Sequence, residues 1–244
     1  MNLKEGGNKN SNFVIHISSY PPRACGIATF TKDITSALDA KFNPAVKSRI
    51  VALNDNPTAI YNYTNKVAGE VNSNEISKYV ELAREINENK DIKVVNLQHE
   101  FGLYGGNWGD YIIPFLQVIE KPVVTTFHTA IPDPEDDLKT IVNTIVDKSK
   151  AVIVMNALSK DILKNDYGID ETKIRLVPHG IPQSAFESSD KYKAELGLEG
   201  RTVLTTFGLL SPNKGIQYAI RALPEVIKKF PDVLYVVVGA THPN

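Results

Sequence analysis

Four polar segments in this chain follow on apolar runs, and each carries groups able to do chemistry. Gln98-His99-Glu100 follows the run from Ile92 to Leu97, and His128-Thr129 follows the run from Pro122 to Phe127. An imidazole can give or take a proton near neutral pH, and a neighbouring carboxylate can orient it or act as a base. Either histidine alone fits a hydrogen-bonded structural residue; two at neighbouring strand ends point towards a site. The third segment, Ser18 to Gly26, follows Phe13 to Ile17 and opens into a one-sided helical pattern. A helix N-terminus offers unpaired N–H groups and the positive end of a dipole, and Gly26 would let a phosphate approach the backbone closely. A fourth segment, Phe207-Gly208 to Lys214-Gly215, repeats the strand, turn and helix order. There the Lys214 ammonium and the free N–H groups together suit a diphosphate, although a solvated first-turn lysine has the same sequence.

The stretch Phe101 to Trp108 mixes aromatic rings with glycines. Rings such as Tyr104 and Trp108 can stack on the apolar faces of a sugar while amides bond its hydroxyls, so His99, Glu100, Tyr104 and Trp108 form a candidate carbohydrate-binding surface. A glycine-rich loop pinned by Trp108 is the plainer reading. Cys25 beside the helix start raises a rival class, a thiol hydrolase or acyl transferase with His99 or His128 as its base. A small thiol lining a turn is the commoner case. Asp133, Glu135, Asp136 and Asp137 read as carboxylates complementing a helix dipole, and His-x-x-x-His is absent, so no metal site is expected. Neither a Walker loop nor a G-x-G-x-x-G fingerprint is present.

These groups need a scaffold. Short β-branched runs bounded by turn residues lie at 13–17, 49–53, 92–97, 122–127, 151–155, 174–177, 203–207 and 233–238. Helical stripes lie between most of them: Ile27, Phe30, Ile34, Leu38; Ile76, Val80, Ala83; Leu138, Ile141, Val142, Ile145; and Ile216, Ile220, Leu223, Ile227. Continuous apolar strands alternating with one-sided helices predict a Rossmann-like, doubly wound α/β fold with a parallel sheet covered on both faces. Such sheets bind ligands at the carboxyl ends of their strands, where the polar segments fall. Pro178-His179-Gly180-Ile181-Pro182 marks a boundary, followed by a polar stretch from Gln183 to Lys193. The reading divides the chain into a flexible, polar residues 1–12, a first domain at 13–182 and an incomplete second domain at 183–244.

The 244 residues are 42% hydrophobic and 23% charged, which excludes a disordered or fibrous chain. A formal net charge of -1 gives no global field favouring nucleic acid. A single cysteine excludes an internal disulfide. No apolar run approaches the roughly 20 residues that span a bilayer and no signal peptide is evident, so the cytoplasm is the expected location.

In order, Tyr-Pro-Pro then Gly-Ile-Ala-x-Phe (residues 13–30), Leu-Gln-His-Glu-Phe-Gly (97–102), Thr-Thr-Phe-His-Thr (125–129), Val-Pro-His-Gly-Ile (177–181) and Phe-Gly then Lys-Gly (207–215) resemble successive landmarks of glycosyltransferase family 4, the group 1 type. The resemblance covers nearly the whole chain after Asn12. It implies a GT-B fold, in which the first domain mainly holds the acceptor and the second mainly holds the nucleotide-sugar donor. It further implies transfer of a hexose with retention of configuration, to a saccharide or glycoconjugate, without a metal or a cofactor beyond the donor itself. Residue by residue, it puts Gly26 in the glycine loop near the donor phosphates, His128 by the transferred sugar, Lys214 on the diphosphate, and Glu100 with its following loop towards the acceptor.

One departure stands out: many relatives carry Arg after the glycine equivalent to Gly208, where this chain has Leu209. Leaving-group stabilisation would then lean on Lys214 and on backbone N–H groups. The family's Glu-rich donor motif is expected beyond Asn244, which predicts an N-terminal portion that is inactive alone. Peripheral membrane contact is left open by lipid-linked acceptors among relatives, although no strong basic amphipathic helix stands out. The rival readings are a non-catalytic carbohydrate-binding module on the same scaffold, and an epimerase or phosphorylase of similar shape.

Overall fold

The structure, a computed structural model, describes Leu3, residues 12–55, Thr58 and residues 60–241. The expectation of a flexible segment at 1–12 lies almost wholly outside the described residues. The chain divides into two compact units, 1–182 and 183–244.

The first unit is built on β1 (Asn12–Ser18), β2 (Val46–Asn54), β3 (Val67–Asn72), β4 (Ile92–His99), β5 (Val123–Phe127), β6 (Ala151–Val154) and β7 (Ile174–Leu176). They form one seven-stranded sheet in the order β3-β2-β1-β4-β5-β6-β7, every pair parallel. The helices are α1 (Gly26–Phe42), α2 (Ile76–Glu88), α3 (Ile113–Val118), α4 (Asp136–Lys148) and α5 (Ala157–Asn165). A parallel sheet needs its crossovers packed on its faces, and the core shows this. Ile15, Ile17, Leu53, Val95 and Leu97 from the strands pack with Tyr79, Leu82 and Ile86 of α2 and Ile145 of α4, all almost fully buried. Burying each such side chain stabilises the fold by about 1.5–3 kcal/mol before conformational entropy is subtracted.

Strand order reverses between β1 and β4, so the connections leaving their carboxyl ends run in opposite directions, the arrangement at which open α/β sheets form a ligand crevice. The doubly wound α/β expectation is therefore met. β3 was not legible, because Gly69 and Glu70 interrupt its apolar run. Nor were α3 and α5; Asn156, whose side chain accepts from the Ser159 N–H at 2.7 Å, caps the latter.

The second unit holds α6 (Ser189–Glu195), the parallel pair β8 (Thr202–Phe207) and β9 (Val233–Val238), and α7 (Ile216–Lys229) between them. Here the polar stretch from Gln183 to Lys193 needs correction. From Ser189 onward it is helix, because the Ser188 hydroxyl accepts from the Asp190 N–H and starts it.

Candidate functional site

Three segments converge at the crevice: the turn after β1, the end of β4 and the end of β5. Gly26 is the first residue of α1 and is exposed; a Cβ added there would meet nothing within 4 Å. The N-cap, Cys25, supplies no side-chain bond and the first turn has no acid, so the dipole's positive end is not neutralised from within the helix. The Cys25 Sγ accepts from the Ser19 hydroxyl at 3.4 Å; among the described residues no histidine hydrogen-bonds it, which leaves the thiol-hydrolase reading without its base.

β4 and β5 end in register, His99 opposite Phe127, and the His128 N–H donates to the His99 carbonyl at 3.0 Å. The two histidines nevertheless sit in different surroundings. His99 is fully buried against the rings of Phe101 (centroids 5.2 Å), Tyr104 (5.9 Å) and Phe127 (4.9 Å), and neither ring nitrogen has a hydrogen-bond partner. Burial, and secondarily the nearby His128, lowers its pKa from 6.5 to about 3. His128 is partly exposed, lies edge-on to Phe30 at 4.9 Å, and has its pKa lowered to about 4, first by burial and then by His179. At neutral pH both are uncharged. His128 is thus a hydrogen-bonding group rather than a cation or a base poised near pH 7.

His128 is also held through its side chain. Its Nε2 lies 2.8 Å from the Gln98 Oε1; the Gln98 amide donates to Asn96 Oδ1, and that oxygen is 3.1 Å from His16 Nδ1. Strand geometry explains the alignment. Asn96 and Gln98 are two residues apart and so share a sheet face, and His16 on β1 is the register partner of Asn96. Glu100 is fixed on the next turn, accepting from the Thr129 hydroxyl at 2.6 Å and from the Phe101 N–H at 3.0 Å.

The loop after β4 is more tightly built than an exposed glycine loop. Tyr104 is buried, and its hydroxyl donates to the Gln98 carbonyl at 2.7 Å. Trp108, at φ 53°, is partly buried and meets Phe101 edge-on at 5.8 Å. The expectation that His99 and Tyr104 touch an acceptor is corrected on burial: both lie beneath the surface and support it. Glu100 and Trp108 retain accessible faces.

Lys214 belongs to the second unit. It is exposed in a 3-10 turn, Pro212–Lys214, followed by Gly215 at φ 65°, the N-cap of α7. Its Nζ lies 3.9 Å from where a Cβ on Gly208 would stand. Among the described residues, no group of three His, Cys, Asp or Glu side chains could hold a metal ion, and no helix is long and apolar enough to cross a membrane.

Sequence reasoning missed Asn96 in β4 and His16 in β1, and gave no role to Gln98 or to His179, whose ring lies 5.0 Å from that of Phe30. A signal was present: polar residues at alternate positions inside otherwise apolar strands.

Comparison with known proteins brings the matched region and the site together. A sequence model described as Glycosyltransferase Family 4 matches residues 26–184, which include Gly26, Gln98, Glu100 and His128. The chain is 29% identical over 126 residues to phosphatidyl-myo-inositol mannosyltransferase of Mycobacterium tuberculosis, covering 51% of this chain and 32% of that protein. It is 27% identical over 182 residues to alpha-monoglucosyldiacylglycerol synthase of Streptococcus pneumoniae, covering 67% and 39%. The chain thus spans about a third of the length of these relatives. Among solved structures, a glycosyltransferase from Rickettsia africae shares the fold, with a TM-score of 0.58 at 15% identity over 94% of this chain and 69% of that one.

Proposed function

The chain belongs to glycosyltransferase family 4, and on that premise we propose that it forms the acceptor-side portion of a retaining hexosyltransferase using a nucleotide-sugar donor. The observation that carries the proposal is the placement of His128. It is a neutral, partly exposed imidazole at the carboxyl end of β5, beside the crevice at the strand-order reversal and within the residues matched to the family.

In this reading the departing diphosphate is stabilised without a metal, because fixed dipoles and cations that meet developing negative charge lower the barrier; the unneutralised N-terminus of α1 at Gly26 and, in the second unit, the Lys214 ammonium are groups of those two kinds. His128 hydrogen-bonds the transferred sugar. Glu100, Trp108 and the loop between them face the acceptor, a saccharide or a glycoconjugate. The relatives named above for phosphatidyl-myo-inositol and for a glucosyl lipid favour a lipid-linked acceptor within that class, with peripheral contact to a membrane surface.

Product detection tests the proposal. The full product of the reading frame is incubated with a panel of nucleotide hexoses and with saccharide and glycolipid acceptors. A glycosylated product with the donor's anomeric configuration, formed in the presence of a chelator, is the expected result. Saccharide binding without product from any donor would overturn it in favour of a carbohydrate-binding module.

A further inference from the structure

We propose that Gln98 is a positioning residue that fixes His128 as its neutral Nε2–H tautomer, at the end of a hydrogen-bonded chain running from His16 through Asn96.

The chain has one consistent direction, and the Val124 backbone carbonyl sets it. A carbonyl only accepts, so the Asn96 group facing it, at 3.4 Å, must be the amide nitrogen. Asn96 Oδ1 therefore points the other way, towards the His16 Nδ1 and the Gln98 amide, and both of those must donate. With its nitrogen committed to Asn96, Gln98 can present only its oxygen to His128 Nε2, at 2.8 Å. An oxygen accepts, so Nε2 carries the proton. A neutral imidazole has one N–H, which leaves the His128 Nδ1 as a bare acceptor, and among the described residues it has no hydrogen-bond partner. Turning the Gln98 amide over would set its oxygen against the Asn96 oxygen. Turning Asn96 over would set its oxygen against the Val124 carbonyl.

The framework around the chain is rigid. Gln98 is fully buried, and its carbonyl is held by the Tyr104 hydroxyl. The His128 backbone is tied to the His99 carbonyl. His16 is 1% exposed and its Nε2 has no partner, so its single proton is placed on Nδ1 by Asn96 alone. A row of polar side chains through the middle of a sheet costs stability wherever it is not fully satisfied, and an apolar strand would have avoided that cost. What the row delivers at its outer end is a defined proton position on a partly exposed ring. Resting on the reading of His128 given above, Nδ1 would accept a hydrogen bond from a hydroxyl of the transferred sugar; with the other tautomer, two hydrogens would face each other there.

Long-range proton–nitrogen NMR of the 244-residue chain, labelled at histidine nitrogen and held at pH 7 without donor or acceptor, reads the tautomer directly. His128 is expected to show a protonated Nε2 and a bare Nδ1. Gln98→Met, which has no carbonyl, should lower the ratio of the two tautomers by about tenfold, the bias that one ordinary hydrogen bond supplies. Asn96→Leu should shift the ratio in the same direction although Gln98 is retained. Thermal unfolding establishes that each variant is folded. A wild-type His128 protonated on Nδ1 would overturn the proposal even if every variant failed to fold, and so would a folded Gln98→Met protein with an unchanged ratio. Because no substrate is present, the two readings fail separately. Product formed by a protein with Nδ1–H would sink the positioning role alone, whereas Nε2–H without product would sink the transferase reading alone.

Discussion

The Ser18 hydroxyl at the end of β1 donates to the Thr31 hydroxyl in the second turn of α1, 2.6 Å away, and both side chains are fully buried. The direction follows from Thr31, whose own hydrogen is committed to the Ile27 carbonyl at 2.8 Å. This bond ties the strand to the helix whose first residue is Gly26, so the helix N-terminus is set by a contact one turn inside it. Thr31→Val keeps the shape and removes the acceptor, leaving the Ser18 hydroxyl buried and unpaired. We expect a loss of about 1–3 kcal/mol in urea denaturation. The double variant Ser18→Ala, Thr31→Val should be less destabilised than the sum of the singles; strict additivity would show that the two hydroxyls are not coupled.

Much of this arrangement was legible beforehand because hydrophobic period is a local property. The strands at 13–17, 92–97 and 122–127 and the stripe beginning at Ile27 could be read one window at a time, and with them the crevice where Gly26, Glu100 and His128 gather. Burial depth is not local. His99 and His128 both follow apolar runs, yet one is sealed between Phe101, Tyr104 and Phe127 and the other is partly exposed, a difference set by how the loop after β4 folds back. The His16–Asn96–Gln98 row was hidden for a related reason: His16 lies 80 residues from Asn96 in the chain and meets it only through the β1–β4 register.

Acid should destabilise the first unit well above the carboxylate range. His16 and His99 have folded pKa values lowered from 6.5 to about 4 and about 3, chiefly by burial. Below pH 6.5 the unfolded chain binds protons that the folded chain refuses, so stability is full above that pH and falls as pH drops towards the folded values. Each of the two histidines contributes a loss of about 2 kcal/mol between pH 7 and pH 5. His99→Phe removes one of them without breaking a hydrogen bond, since neither ring nitrogen has one. Unfolding free energies from urea titrations at the two pH values should therefore converge in that variant by about 2 kcal/mol. An undiminished pH dependence would mean that His99 is not buried in its neutral form.

The loop after β4 offers a paired comparison of two glycines. A Cβ on Gly105 would stand 2.5 Å from the Ser73 carbonyl oxygen and 2.6 Å from a Tyr111 ring carbon, whereas one on Gly102 would meet nothing within 4 Å. The Gly105 N–H also donates to that carbonyl at 2.9 Å, so the backbone cannot retreat without losing the bond. Gly105→Ala should cost about 1–3 kcal/mol and expose residues 100–112 to limited proteolysis. Gly102→Ala should stay within about 0.5 kcal/mol of wild type. Equal stabilities for the two variants would show that the loop is not anchored at Ser73.

Lys214 carries the sharpest test of the donor assignment, because Leu209 stands where many family members are expected to have a second cation. With one ammonium in place of a basic pair, the attraction for a diphosphate should rest more heavily on a single side chain. In the full product of the reading frame, Lys214→Ala should weaken binding of ADP, GDP or UDP, whichever binds best, by roughly tenfold to a hundredfold in calorimetric titration. That range corresponds to one charge-assisted hydrogen bond. Lys214→Arg should recover part of the loss, since the charge is kept while the geometry of a point-like ammonium is not. Raising the salt concentration should narrow the gap between wild type and Lys214→Ala, because an exposed charge is screened within about 10 Å at 0.1 M ionic strength. Wild-type affinity in Lys214→Ala would take the lysine out of the diphosphate site and leave the backbone N–H groups at Gly26 as the anion-binding element to be tested next.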